Sequence, residues 1–197
     1  MINLMFVSLE GIDGSGKTSI GKMMKELYES KGKKVYLTEE PTRIIFDTKS
    51  IMEKDLDPFT RAFIFMADRV EHLKVIKEKI SQGFIVICDR YVDSTFAYQG
   101  SALEKRFGSK DRTYEYLLKI YEPVSLDPDI VIYLDVEPEI GLKRIESRKR
   151  EIFEKISELE NVREFYLYLS KIRNYRIYDS NKDLKSLWQN ILSDLNL

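Results

Sequence analysis

The stretch that most constrains this chain is residues 5–18, which read Met-Phe-Val-Ser-Leu-Glu-Gly-Ile-Asp-Gly-Ser-Gly-Lys-Thr. Residues 11–18 fit the phosphate-binding loop pattern G-x-x-x-x-G-K-[ST] at every position. Residues 5–9 form a short apolar run suited to a buried strand, and apolar residues recur at helical spacing from Lys17 onward. A strand, a glycine-rich turn and a helix in this order surround an anion with backbone N–H groups and the positive end of a helix dipole. We therefore expect a nucleotide-phosphate site here.

The residue types in the loop suggest individual roles. Its glycines let successive N–H groups point inward at phosphate oxygens. The Lys17 ammonium suits the β- and γ-phosphates of ATP, and the Thr18 hydroxyl is placed to hold Mg²⁺. The predicted ATP-binding residues of the loop are Gly11, Ile12, Asp13, Gly14, Ser15, Gly16, Lys17 and Thr18.

Composition limits the class of protein. A length of 197 residues, 43% hydrophobic and 33% charged, fits one globular domain spanning residues 1–197. The net charge of −1 gives no support for a general nucleic-acid or membrane binder, and one cysteine, Cys88, excludes an intramolecular disulfide. No apolar run approaches the roughly 18 residues that a membrane span needs. With no signal-peptide pattern at the N-terminus, a cytoplasmic location is expected.

Strand and helix patterns alternate along the chain. Apolar runs typical of buried parallel strands occur at residues 5–9, 84–88 and 130–134, and two further short strands are predicted at residues 35–38 and 176–179. Helical spacing follows most of them, including a long helix from Pro58 to about Ile80 and a last helix over residues 184–195. This order predicts a three-layer α/β/α fold with a five-stranded parallel sheet, whose ligands bind at the carboxyl edge.

Charged residues follow two of these strands. Asp89 occupies the position of a metal-binding carboxylate after a second buried strand, and Arg90 beside it suits a phosphate. The alternative for both is a structural Asp–Arg pair at the end of the strand. Arg43, in the loop after the second strand, is a candidate phosphate contact or an ordinary solvated arginine.

The long helix has two notable faces. Phe65 and Arg69, four residues apart, share one face and are suited either to stacking on and hydrogen-bonding a planar base or to core packing. The other face carries a narrow apolar seam, typical of packing along another helix: Phe59, Phe63, Met66, Val70 and Leu73. This seam suggests a homodimer; its alternative is packing onto the sheet of the same chain.

A basic cluster lies near the start of the last third of the chain, at Arg144, Arg148, Lys149 and Arg150. Such a cluster is usually a solvated face. In a phosphoryl-transfer enzyme it also suits a lid, here about residues 144–154, that closes over the phosphates.

Beyond the loop, the chain resembles the thymidylate kinases over almost its full length. The motifs that carry this resemblance are Leu-Glu-Gly-Ile-Asp-Gly-Ser-Gly-Lys-Thr at 9–18, Glu-Pro at 40–41, Phe-Met-Ala-Asp-Arg at 65–69 and Asp-Arg-Tyr-Val-Asp-Ser-Thr-Phe-Ala-Tyr-Gln-Gly at 89–100. The last of these is the most specific. The resemblance implies transfer of the γ-phosphoryl group from Mg·ATP to dTMP.

The resemblance also implies roles for the acceptor-side residues. By position, Phe65 stacks on the thymine and Arg69 hydrogen-bonds its edge, while Arg90 binds the acceptor phosphate. Asp13 lies near the acceptor's sugar and phosphate, and Asp89 lies near the metal. The remaining substrate-binding residues that it implies are Glu40, Thr95 near the base, Tyr98 along the sugar, and Gln99. On the donor side, Arg144 matches the arginine that lies against the adenine.

Two positions depart from the family pattern. Where relatives often have Thr-Arg-Glu-Pro, this chain has Thr38-Glu39-Glu40-Pro41, and Arg43 is the hypothetical replacement for the missing phosphate-binding arginine. Position 14 is glycine rather than the arginine of some members. The members that lack this arginine take catalytic charge from the lid instead, which makes Arg148 and Arg150 the candidates.

Two alternatives stay open. The nearer is a kinase for another nucleoside or monophosphate; the more distant is a phosphate-loop switch that hydrolyses nucleotide slowly. A guanine-reading Asn-Lys-x-Asp motif would favour the switch, and residues 181–184, Asn-Lys-Asp-Leu, lack its final acid.

Overall fold

A computed structural model of the chain describes residues 5–42, 44–45, 54–145 and 152–195, with only the backbone of 152–155. Its centre is one parallel sheet of five strands in the order β2-β3-β1-β4-β5. The strands are β1 (Phe6–Glu10), β2 (Val35–Glu39), β3 (Ile85–Asp89), β4 (Ile130–Asp135) and β5 (Tyr175–Asp179). The α/β fold with a five-stranded parallel sheet is thereby confirmed.

Seven helices are present in the described ranges. They are α1 (Lys17–Ser30), α2 (Pro58–Ser81), α3 (Val92–Phe107), α4 (Lys110–Tyr121), α5 (Pro138–Arg144), α6 (Ile152–Ile172) and α7 (Leu184–Leu195). None of the helices in these ranges is long and apolar enough to cross a membrane.

Both faces of the sheet are covered, because alternate strand residues point to opposite sides. In β1, Phe6 belongs to an apolar cluster shared with α2, α3 and α6, whereas Val7 belongs to a second cluster shared with α1 and α7. This produces the three layers that the continuous apolar strands predict.

The strand register places the predicted site residues at one edge of the sheet. β3 lies between β1 and β2, with Asp89 paired to Leu9 on one side and to Glu39 on the other. The residues that follow these strands therefore meet beside the phosphate loop, as the sequence predicts for a parallel sheet.

The residues of the apolar seam of α2 differ in burial. Met66 and Leu73 are buried in the core, and Phe59 packs edge-on against Phe107 and Tyr116. Phe63 leaves 49% of its surface exposed. Much of the seam thus packs within the chain, and the homodimer stays a prediction.

Candidate active site

The phosphate loop is packed tightly against the start of α5. Gly14 has a φ of +77°, and a Cβ built there would lie 2.1 Å from the carbonyl oxygen of Gly141. A Cβ on Gly141 would in turn lie 2.5 Å from the Asp13 carbonyl oxygen. Backbone thus contacts backbone at this point, which leaves no room for a side chain at position 14.

Lys17 lies inside the loop. Its Nζ donates to the carbonyl oxygens of Gly11 at 3.0 Å and Ile12 at 2.9 Å. Burial, followed by repulsion from Arg90, lowers the pKa of Lys17 to about 7. A phosphate in the loop would supply the negative charge that this buried ammonium lacks.

A hydroxyl and a carboxylate stand next to the loop in a pair that suits a metal ion. Thr18 Oγ1 donates to Asp89 Oδ2 at 2.5 Å, and Asp89 is buried at the end of β3. Hard oxygen ligands of this type, completed by phosphate oxygens and water, match what Mg²⁺ prefers. The residues present therefore fit the ion that the sequence predicts.

Arg90 is the central cation of the site. Its Nη2 donates to the Asp13 carboxylate and, at 3.3 Å, to the Tyr98 hydroxyl, while Nη1 donates to Ser94 Oγ at 3.3 Å. The guanidinium also lies 5.1 Å from the centre of the Tyr98 ring. Although burial acts to raise the pKa of Asp13, the charges of Arg90 and Lys17 hold it below its usual value.

A buried carboxylate, that of Glu10, is linked to Arg90 through Ser94. Glu10 accepts from the backbone N–H of Tyr91 at 2.8 Å, from Ser94 Oγ at 2.7 Å and from the Tyr166 hydroxyl at 2.9 Å. Burial raises the pKa of Glu10. The sequence assigns no role to Glu10, Ser94 or Tyr166, because partners so far apart along the chain leave no local pattern.

Arg69, to which the resemblance assigns the edge of the base, is almost fully buried at 2% exposure. Its Nε donates to Glu40 Oε2 at 2.7 Å, and its Nη2 donates to Thr95 Oγ1 at 3.0 Å. Phe65, one turn earlier on α2, stays partly exposed. The structure thus brings Glu40, Arg69 and Thr95 together, with Phe65 available to a ligand on the same helix.

A further residue joins this group although the sequence gives it no role. His72 Nδ1 lies 2.9 Å from Glu40 Oε1, and His72 Nε2 lies 2.8 Å from Thr38 Oγ1. Its position one turn beyond Arg69 was the only available signal.

Arg144, which the resemblance assigns to the donor adenine, contacts the phosphate loop and the segment after β5. Its Nη1 donates to the Gly14 carbonyl oxygen at 3.1 Å, and its Nη2 donates to the Lys182 carbonyl oxygen at 2.8 Å. Arg144 lines a cavity of about 610 Å³ together with Lys17, Asp89 and Arg90. The segment after β5, which includes Leu184, forms another part of its wall and carries no recognisable motif in the sequence.

The other predicted residues divide into two groups. Gln99, next to Tyr98 on α3, is buried with 8% exposure. Arg43, Arg148 and Arg150 lie outside the described residues.

Comparison with known proteins identifies close similarity to one family. A family model described as thymidylate kinase matches residues 9–191. A probable thymidylate kinase of Picrophilus torridus is 40% identical over 171 residues, which cover 84% of this chain and 81% of the relative. One from Pyrobaculum calidifontis is 39% identical over 186 residues, or 90% and 89% of the two chains. The thymidylate kinase of Brachyspira hyodysenteriae is 35% identical over 195 residues, or 96% and 92%.

Proposed function

The chain belongs to the thymidylate kinase family, and on this premise we propose that it transfers the γ-phosphoryl group of Mg·ATP to the 5′-phosphate of dTMP. The products are ADP and dTDP, a step toward dTTP. The observation that carries the proposal is that Lys17 and Arg90, each suited to a different phosphate, line one cavity. Phosphoryl transfer requires donor and acceptor phosphates to be held in line at such a place.

The acceptor phosphate is assigned to Arg90. Asp13, Ser94 and Tyr98 fix the guanidinium from three sides, so a phosphate would meet a donor that needs little reorganisation. Asp13 also faces the place where the acceptor's sugar would lie. Tyr98 would crowd the 2′ position and so favour a deoxyribose.

The base is assigned to Phe65 and Arg69. The partly exposed Phe65 ring offers a stacking surface, and the buried guanidinium offers donors to the base edge. Glu40 and Thr95 support the proposal because both hold Arg69.

Catalysis in this proposal rests on alignment and charge. The acceptor is already a phosphate that is largely ionised near neutral pH, so the chain needs no strong general base. One of its oxygens attacks the γ-phosphorus while the bond from that phosphorus to the bridging oxygen of ADP breaks. Lys17 and Arg90 stabilise the charge on the two sides of the migrating group. Mg²⁺, held through Thr18 and Asp89, would neutralise charge on the donor phosphates.

The proposal also gives roles to residues around the phosphates and the acceptor. Arg144 would lie against the donor adenine, and Arg148 and Arg150 would bring lid charge to the migrating group. Arg43 would replace the missing phosphate-binding arginine, and Gln99 would border the acceptor. We also propose a homodimer, supported by the exposed Phe63 on α2, and a cytoplasmic location, where ATP and dTMP are available.

The test is an acceptor panel. Purified protein is assayed for ADP formation with Mg·ATP and, separately, dTMP, dUMP, dCMP, dGMP, dAMP and the free nucleosides. We expect dTMP to have the highest kcat/KM.

The panel also decides between the alternatives. A better acceptor than dTMP would identify a kinase for that compound. Slow hydrolysis of ATP that no acceptor stimulates would instead favour the nucleotide-dependent switch.

A further inference from the structure

Glu40 is held from two sides in a buried site. Arg69 Nε donates to one carboxylate oxygen at 2.7 Å, and His72 Nδ1 lies 2.9 Å from the other. Exposure is 7% for Glu40, 2% for Arg69 and 1% for His72. A carboxylate with each oxygen occupied by a separate partner cannot rotate without breaking a buried hydrogen bond, which would cost about 1–3 kcal/mol.

The direction of these hydrogen bonds follows from the groups involved. A carboxylate paired with a guanidinium can only accept, so Nδ1 of His72 carries the hydrogen and donates it to Glu40. Nε2 lies 2.8 Å from the Thr38 hydroxyl on β2, and a hydroxyl can pair with that nitrogen either as donor or as acceptor. His72 thus connects β2 to the carboxylate that holds Arg69.

The far end of Arg69 is fixed as well. Nη2 donates to Thr95 Oγ1 at 3.0 Å and to the Tyr91 carbonyl oxygen at 3.3 Å. Nη1 contacts the Met66 sulfur at 3.7 Å, and a thioether is a weak acceptor. Nη1 therefore keeps donor capacity for a ligand, in a direction set by the other bonds of the guanidinium.

We propose that His72 is a positioning residue for Arg69. By donating to Glu40 it holds the Glu40–Arg69 pair so that Arg69 meets a carbonyl oxygen at the edge of the acceptor base. An amino group at the same place would point its own N–H at the N–H of Arg69, and two donors cannot form a hydrogen bond with each other. His72 therefore contributes to selection of a keto pyrimidine, such as thymine, over an amino pyrimidine, such as cytosine. The inference rests on the proposed function.

The experiment compares four proteins. His72→Leu removes both ring hydrogen bonds, and His72→Asn keeps an N–H donor near the place of Nδ1. Leu73→Met, a volume-conserving change at the adjacent buried position, controls for altered packing of α2. The dissociation constant of dTMP without ATP, and kcat and KM for dTMP, dCMP and ATP, are measured for each variant and the unmodified protein.

We expect His72→Leu to raise the KM and dissociation constant for dTMP about tenfold and to lower the preference for dTMP over dCMP about tenfold, since the buried bond that holds Glu40 is lost. The KM for ATP stays unchanged. His72→Asn recovers most of the preference, and Leu73→Met keeps all of it.

Two results would overturn the inference. One is a folded His72→Leu protein with an unchanged preference for dTMP over dCMP; the other is an equal rise in the KM values of dTMP and ATP. If circular dichroism shows that His72→Leu does not fold, His72→Gln, whose amide lies nearer the place of Nε2, takes its place under the same criteria. Failure of the unmodified protein to bind dTMP would defeat the proposed function and this inference together.

Discussion

Thr18 and Asp89 are joined by a hydrogen bond of 2.5 Å although 71 positions separate them in the chain. The start of α1 and the end of β3 therefore present two oxygen ligands side by side. Asp89→Asn keeps an oxygen that can accept from Thr18 but removes the charge that attracts a cation. We expect kcat to fall by about 100-fold or more, and the Mg²⁺ concentration for half-maximal rate to rise.

Manganese provides the direct measurement for this variant. Mn²⁺ binding in the presence of ADP, followed by electron paramagnetic resonance, should weaken in Asp89→Asn, whereas ADP binding without metal should not. Unchanged Mn²⁺ affinity would remove Asp89 from the metal site.

The low pKa of Lys17, about 7 where the usual value is 10.5, leads to a proton-linkage prediction. Between these two values the unfolded chain binds a proton that the folded chain does not, so this group adds to stability as pH rises through that window. Triphosphate in the loop should restore the proton. At pH 8 we expect uptake of about 0.9 proton per ATP bound.

Calorimetry measures this uptake. ATP is titrated into the protein in Tris and in HEPES, and the difference in apparent enthalpy reports the protons exchanged with buffer. Lys17→Met should lose the uptake; an equal uptake in that variant would place the proton on another group.

The Tyr166 hydroxyl should affect the KM for dTMP more than the KM for ATP. This hydroxyl contacts Glu10 and Ser94, and Ser94 in turn contacts Arg90. Tyr166→Phe removes only that hydroxyl, so we expect the KM for dTMP to rise about fivefold with the KM for ATP unchanged, as for one lost hydrogen bond.

Tyr133→Phe is the matched control for Tyr166→Phe. The two rings stack with centres 5.0 Å apart, but the Tyr133 hydroxyl donates to Asp135 instead. Steady-state kinetics should show no change in the KM for dTMP in Tyr133→Phe. Equal effects of the two changes would contradict the assignment of the effect to the contacts that the Tyr166 hydroxyl makes with Glu10 and Ser94.

The contact between Gly14 and Gly141 predicts intolerance of any side chain at position 14. Gly14→Ala combines a positive φ with a clash against backbone, so we expect a loss of more than about 2 kcal/mol in the free energy of unfolding and weaker ATP binding. Gly32→Ala is the control: its φ is +73°, yet nothing lies within 4 Å of the added Cβ. It should lose only about 1 kcal/mol, the backbone cost alone. Urea unfolding measures both, and equal losses would contradict the prediction.

The sequence predicts the sheet and the loop because their signals are local. Continuous apolar runs mark buried parallel strands, and parallel strands bring Lys17, Asp89 and Arg90 to the same edge. The spacing of Phe65 and Arg69 places both on one face of a helix, and this fits either base binding or core packing. Resemblance to the family was needed to favour base binding.

What the sequence could not predict depends on contacts between distant segments. Heptad-like spacing predicts one apolar face along α2, but it does not predict that Met66 is buried in the core while Phe63 stays exposed. The partners of Glu10, and the φ of +68° at Arg90, arise only when strands, α3 and α6 pack together. His72 looked like an ordinary helical histidine for the same reason.

The strand order places the residues of the site in two groups, one on each side of β1. Glu40 and Arg90 follow β2 and β3 on one side of β1, whereas Arg144 and Lys182 follow β4 and β5 on the other. Changes far enough apart to share no partner act additively on free energy. If Arg90 binds the acceptor phosphate and Arg144 the donor adenine, as proposed, substitutions on the acceptor side should leave the affinity for ATP unchanged. Acceptor specificity would then be able to change in evolution while recognition of ATP is retained.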